Sequence, residues 1–342
     1  MKIISIVGTR PQFLKIIALQ NRLTDNDINH IVINTGQHFD HNMSDSLFLS
    51  LDAKMPKYNL NINSCSHGKM VGLMMIEIEQ IILVEQPQKI LVYGDCDSTL
   101  AGALVASKLN VHLVHIEAGL RSFNKKMPEE LNRIVVDHIS TTLLCPNEYA
   151  KINLNNENIH DNIHLVENLQ LCLLSQCINI GNDSILFNNN LIANKFVLLT
   201  LHRNYNTTEE MLNMLFDQIN NIEHTILFPI HPKTRNIIKQ YNIIIPKNIL
   251  VIDPVNYIDM CTLLNNCSYV ITDSGGLQVE AMYLNKKCFT VRSETEWLDT
   301  LDYNNCLVTD INMLSNIVKT FDIKKRYYAL DIGTDWSNIL KC

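Results

Sequence analysis

"KILVYGDCDSTLAGALVASKLNVHLVHIEAG", residues 89–119, decides the fold. Two apolar runs, "KILVYGD" (89–95) and "HLVHIEAG" (112–119), read as strands, and Asp97 or Ser98 is placed to cap a helix between them. Strand, helix, strand implies a parallel pair joined by a helical crossover. Each run is apolar along its length, as strands buried on both faces are. Each also closes on a carboxylate, Asp95 in the first and Glu117 in the second. Open α/β sheets bind ligands at the carboxyl ends of their strands, so these two acids point to a site.

The same rhythm runs outward in both directions. "KIISIVG" (2–8) and "HIVINTG" (30–36) precede the opening stretch. "KFVLLTLH" (195–202), "HTILFPIH" (224–231), "NILVIDPV" (248–255), "YVITDSGG" (269–276) and "CFTVR" (288–292) follow it. Helical patterns fill most gaps. "PQFLKIIALQNRL" (11–23) sets Leu14, Ile17 and Ala18 on one face, and "EELNRIVVDHIS" (129–140) sets Ile134, Val135, His138 and Ile139 on one face. A polar, irregular stretch at about 151–194 separates the two series. The expected architecture is α/β, with two Rossmann-like doubly wound domains facing across a cleft. Residues 1–168 form the N-terminal domain with the acids, 169–325 the C-terminal domain, and 326–342 a last segment expected to pack back toward the first.

Composition narrows the class. The 342 residues suit about two domains, and 46% hydrophobic against 18% charged content marks a globular chain. The net charge of −7 and the lack of a Lys/Arg block argue against nucleic acid. No apolar run approaches membrane-span length, and "MKIISIVGTR" reads as a strand and turn rather than a secretory signal. The ten cysteines show neither C-x-x-C nor paired His/Cys spacing, so no metal site or disulfide framework is expected, and the compartment reads as cytoplasmic. An acidic protein that binds an anion must gather its bases locally.

Such a gathering is visible at strand ends. In "GTRPQFLK" (8–15), Pro11 suits a first helical turn whose free N–H groups lie near Arg10 and Lys15. In "SGGLQVEA" (274–281), Ser274, Gly275 and Gly276 open a helix that admits a phosphate, and Glu280 lies one turn on, within reach of ribose hydroxyls. His202 in "LHRN" and His231 in "PIHPKTR" each end an apolar strand beside a base, and Arg292 closes "CFTVR". Asp95, Glu117 and Glu129 are the candidate acids, with Arg133 one turn beyond Glu129. The dinucleotide fingerprint G-x-G-x-x-G is absent, so no cofactor is expected. Arg121 reads either as a charge partner for an acid or as a substrate contact, with structural support the expectation.

These motifs, taken in order with "TGQHFDHNMSD", "HIEAGLRSFNKKMPEELNR" and "VRSETEW", resemble the non-hydrolysing UDP-N-acetylglucosamine 2-epimerase family nearly end to end. The resemblance implies a GT-B-like fold, with UDP bound by the C-terminal domain. It implies a UDP-sugar substrate, no cofactor, a homodimer and a place in polysaccharide biosynthesis. Asp95, Glu117 and Glu129 match the acids implicated in proton transfer. Arg10, Lys15, His231, Ser274, Gly275, Gly276, Glu280 and Arg292 match positions around the UDP-sugar, and Arg133 is counted with this substrate-binding set. His202 also matches such a position and is counted with the catalytic set. The implied route is elimination and re-addition of UDP through a glycal.

The chain departs from the family pattern in three places. Q-H-x-x-M, an allosteric motif in many members, becomes "QHFDHNM" with Gln37, His38 and a displaced Met43. H-R-x-E-N becomes "HRNYN", with Tyr205 for Glu, and G-N becomes Glu167–Asn168. "PQF" and "ETEW" resemble the branch acting on modified UDP-sugars, such as diacetamido-uronates or 6-deoxy acetamido sugars. The alternatives are that branch, a hydrolysing 2-epimerase, and a GT-B glycosyltransferase.

Overall fold

A computed structural model describes residues 1–23, 27–37, 47–322, 328 and 333–341. The chain divides into two compact units, Met1–Leu173 with Asp331–Cys342, and Leu174–Leu330. Each is a parallel sheet wrapped in helices.

In the first unit, seven strands are described: β1 (Lys2–Val7), β2 (Asn29–Asn34), β3 (Tyr58–Asn59), β4 (Lys89–Tyr93), β5 (His112–Ile116), β6 (Thr142–Cys145) and β7 (Ile163–Leu165). They lie in the order β3-β2-β1-β4-β5-β6-β7. The order reverses between β1 and β4, which opens a crevice at their carboxyl ends. β4 and β5 pair in register from Lys89↔His112 to Tyr93↔Ile116, so Asp95 and Glu117 leave neighbouring strands at the same edge. Ile4, Ile6, Ile90 and Val92 pack with Met74, Ile78 and Ala103 from the covering helices His67–Glu85 and Asp97–Lys108.

In the second unit, β8 (Phe196–Thr200), β9 (Thr225–Pro229), β10 (Ile249–Ile252), β11 (Tyr269–Thr272), β12 (Lys287–Thr290) and β13 (Asn305–Leu307) lie in the order β10-β9-β8-β11-β12-β13. Side chains alternate across a strand, so β8 feeds two cores. Val197 and Leu199 join one apolar cluster, and Phe196 and Leu198 join another. The reversal falls between β8 and β11, the strands that precede His202 and Ser274.

The structure corrects three sequence expectations. The stretch about 151–194 is largely regular, with helices Glu148–Asn156, Leu169–Ile180 and Ser184–Asn188 and strand β7. Its Asn-rich turns hide Leu169–Leu174, a continuous buried run. The helix Pro128–Ile139 presents the opposite face to the one its apolar residues suggest. Val135 and His138 are exposed, while Glu130, Asn132, Arg133, Val136 and Asp137 are buried. Polar partners at the strand ends, described below, outweigh the apolar stripe. Neither Asp97 nor Ser98 caps its helix: Cys96 is the N-cap, Asp97 Oδ2 meets His67 Nδ1 at 2.7 Å, and Ser98 donates to Gln37.

At the outer edge of the first sheet, Glu85 accepts hydrogen bonds from Lys57 Nζ (2.5 Å), Tyr58 Oη (2.6 Å) and Lys2 Nζ (3.1 Å). These bonds hold its carboxyl down at about 2. A lowered native value stabilises the fold above the unfolded carboxyl range, and this stabilisation fades as pH falls through the native value. Glu85→Gln is expected to lower the melting temperature at pH 7 by a few degrees. Melts at stepped pH should show the gap between variant and parent closing as pH approaches about 2.

Candidate active site

The first unit builds an acid–base cluster from three strand ends. After β1, Thr9 caps the helix Arg10–Arg22, and Pro11 occupies its first turn. Gln12 ties this helix start to β4: its Oε1 accepts from Gly8 N at 2.7 Å, and its Nε2 donates to Tyr93 O at 2.6 Å. The helix thereby directs the buried Lys15 toward β5, where its Nζ pairs with Glu117 Oε2. Gly94 makes room for that carboxylate. Its φ is +61°, and a Cβ there would stand 2.8 Å from Glu117 Oε2.

Asp95 is held from the helix Pro128–Ile139. Arg133 Nη2 donates to Asp95 Oδ2 at 2.5 Å, and Asn132 Nδ2 donates to Asp95 O at 2.9 Å. Arg133 Nη1 also reaches Glu130 Oε2 at 2.6 Å. Glu130 is spent on structure, accepting from Ser122 N and Phe123 N, each at 2.8 Å. Glu129 lies in the same first turn, partly exposed, with no hydrogen bond or ion pair of its side chain among the described residues. Arg10 opens the helix after β1 and is partly exposed.

Electrostatics make Glu117 the unusual acid. Burial pushes its carboxyl up, Lys15 pulls it down, Asp95 pushes it up again and Arg133 lowers it, with a net rise. A raised carboxyl lies closer to neutrality and is better matched to proton transfer. Its φ of +73° is a left-handed conformation that a non-glycine residue adopts at a cost of about 1–2 kcal/mol.

The second unit builds a polar cradle. Asp273, fully buried after β11, accepts from His202 N (3.1 Å), Arg203 N (2.9 Å) and Asn206 Nδ2 (3.2 Å). His202 Nδ1 also lies 2.9 Å from Asp273 Oδ1. Burial pushes the Asp273 carboxyl up, but His202, the Arg203 N–H and Asn206 together outweigh it and the net shift is downward. An ionised Asp273 fixes the proton of His202 on Nδ1 and turns Nε2 outward. Ser274 Oγ caps the helix Gly275–Tyr283 by accepting from Leu277 N at 3.3 Å. Arg292 meets Glu296 through a two-pronged pair at 3.2 and 2.7 Å. That pair lies over the helix start, since a Cβ on Gly275 would be 2.6 Å from Glu296 Oε1. Gly276 follows in the first turn. Glu280 is buried and accepts from Tyr257 Oη at 2.8 Å. His231 is exposed and caps Pro232–Gln240, its Nδ1 accepting from Lys233 N at 3.2 Å.

The structure thus brings Asp95, Glu117, Lys15 and Arg133 together in one unit. In the other, His202, Ser274, Gly275 and Arg292 lie at the reversal of the sheet and beside it. Sequence reasoning missed Asp273 and Asp137. The signal for Asp273 was present, an acid at a strand end directly before Ser-Gly-Gly. Arg121 pairs with Asp137 and Glu157. Glu167 accepts from Trp336 Nε1 at 2.8 Å and meets Arg22 Nε at 3.3 Å, which anchors the helix Trp336–Lys341. His38 and Met43 lie outside the described residues. No described helix is long and apolar enough to cross a membrane.

A family model for UDP-N-acetylglucosamine 2-epimerase matches residues 21–328. The chain is 43% identical to a UDP-N-acetylglucosamine 2-epimerase homolog of Methanococcus maripaludis, covering 99% of this chain and 98% of that one. It is 41% identical to a UDP-2,3-diacetamido-2,3-dideoxy-D-glucuronate 2-epimerase of Pseudomonas aeruginosa, over 87% of this chain and 85% of that one. The crystal structure of a Methanocaldococcus jannaschii UDP-GlcNAc 2-epimerase, in complex with UDP-GlcNAc and UDP, superposes with a TM-score of 0.90 at 38% identity. That match covers 100% of this chain and 99% of the other.

Proposed function

This chain belongs to the UDP-N-acetylglucosamine 2-epimerase family, and from that premise we propose that it inverts carbon 2 of a UDP-linked 2-acetamido sugar without hydrolysing it. The observation that carries this reading is the gathering of Asp95, Glu117, Lys15 and Arg133 at the carboxyl ends of β4 and β5.

The C2–H of such a sugar is not next to a carbonyl, so a base alone faces a very weak acid. Breaking the C1–O bond to UDP as the C2 proton leaves gives a neutral glycal and UDP. Returning a proton to the opposite face of C2 while UDP re-adds at C1 completes the inversion. Neither half changes the oxidation state overall, so the route calls for no redox cofactor. Two faces need more than one proton carrier, which Asp95, Glu117 and Glu129 supply. The departing diphosphate needs fixed positive charge and N–H donors. Arg10, His202, His231, Arg292 and the helix start at Ser274–Gly276 suit that task. Glu280, held by Tyr257, suits a ribose hydroxyl.

Finer assignments rest on supporting observations. Leu131 and Val135 on Pro128–Ile139, with Leu73, Ile76 and Val84 on His67–Glu85, form exposed apolar surface that supports a homodimer. The free thiols among the described residues support a reducing, cytoplasmic setting. The product is then a nucleotide sugar for polysaccharide biosynthesis.

A second reading concerns the sugar. Tyr205 stands where many family members have Glu, and its hydroxyl is influenced by burial first, then by Arg203 and Arg292. One negative charge fewer near Arg203 and the Arg292–Glu296 pair favours an anionic sugar, such as a diacetamido-uronate. NMR of a UDP-sugar panel, following the C2 and anomeric protons, tests both readings. Conversion of UDP-GlcNAc supports the first, and conversion of the uronate alone supports the second. Sugar transfer to an acceptor, or free UDP formed in step with product, would contradict both.

A further inference from the structure

We propose that Asp137 is a positioning residue that holds the strand ends of Asp95 and Glu117 in fixed relation, for the proton transfers of the epimerase reading above. Asp137 lies on the inward face of Pro128–Ile139 and is 1% exposed. Its Oδ1 is 2.6 Å from His115 Nδ1. Its Oδ2 accepts from Gly119 N at 3.1 Å and from Arg121 Nη1 at 2.7 Å. The other nitrogen of His115, Nε2, is 2.8 Å from Gly94 O.

These bonds form one bridge. Gly94 directly precedes Asp95, and Gly119 comes two residues after Glu117. The ladder between β4 and β5 runs to Tyr93 and Ile116. Beyond it, Gly94 O, the His115 ring, the Asp137 carboxylate and Gly119 N–H join the two turns through side chains. A carbonyl only accepts, so His115 Nε2 donates to Gly94 O while Nδ1 faces the Asp137 carboxylate. Arg121 completes the group, with Nε and Nη2 on the two Glu157 oxygens at 2.7 and 2.8 Å. Burial pushes the Asp137 carboxyl up, but His115 and Arg121 outweigh it and keep it low.

Stability alone is a weak reason for this construction. A buried charged network is often no more stabilising than an apolar cluster of equal volume. An apolar cluster, however, cannot fix a carbonyl on one turn and an N–H on the next. Displacing a reacting group by about 1 Å can reduce turnover by about 100-fold, so such fixing has catalytic value.

The test compares Asp137→Asn with Val136→Ala, a change at a fully buried apolar neighbour on the same helix. Asp137→Asn is expected to lower kcat about 30-fold with KM within about twofold. Amide hydrogen exchange should quicken at residues 94–97 and 117–120 and little elsewhere. Val136→Ala should lower the melting temperature and leave kcat within about twofold. Equal loss of kcat in both variants, tracking stability, or exchange quickened evenly over the unit would overturn the proposal. The exchange pattern decides it even if the parent turns over no UDP-sugar, a result that counts against the epimerase reading alone. If Asp137→Asn does not fold, His115→Gln removes the same bridge and should give the same two signatures. Unchanged kcat and unchanged exchange in that variant would overturn the proposal equally.

Discussion

Glu117→Gln is expected to reduce turnover about 1,000-fold while UDP binding stays within about threefold. The amide keeps the size of the side chain and its contact with Lys15, but it can neither take nor return a proton. Asp95 and Glu129 remain in place, so the loss measures one proton carrier rather than the collapse of the site. Steady-state turnover and calorimetric UDP titration check the two halves of the expectation. Near-normal turnover would remove Glu117 from the chemistry, and weakened UDP binding at unchanged turnover would make it a substrate contact.

Lys15→Met is expected to lower turnover about 100-fold near neutral pH and to move the acidic limb of the kcat profile upward. Burial raises the Glu117 carboxyl and Lys15 is the main force against it, so removing the ammonium lets that carboxyl climb further. A base must be ionised to act, and activity should therefore recover as pH rises. Stability should move in the opposite sense. Between the unfolded value and a raised native value, the native state binds the proton more tightly, so stability falls as pH rises through that window. The variant's deficit in melting temperature should thus be largest at neutral pH and above, and smallest in acid. A higher KM with an unshifted pH limb would instead make Lys15 a contact to the UDP-sugar, the role that the family resemblance implies.

Much of the fold was legible because parallel strands announce themselves as apolar runs. The acids and histidines that break those runs, Asp95, Glu117 and His202, mark strand ends. The shortest strands were not legible: β3, β7 and β13 have two, three and three residues, too few for a pattern. The buried face of Pro128–Ile139 was misread because hydrophobicity was its only local signal. Its Arg133 and Asp137 are buried by partners 38 and 22 residues away, Asp95 and His115, and no periodicity reports such pairing. Glu129 and Glu130 look alike in sequence, yet Glu130 is bound up in the Ser122–Phe123 turn and Glu129 is not. The departure at Glu167 looked like a lost family feature, and its carboxylate in fact anchors Trp336.

The central claim is that the C2 hydrogen leaves and returns while the C1–O bond breaks and re-forms. It is tested most directly by running the reaction in heavy water with substrate carrying 18O in the anomeric C–O–P bridge. The account predicts deuterium at C2 of the product and scrambling of the label into the non-bridging phosphate positions. Epimerised product with neither deuterium nor scrambling would contradict it.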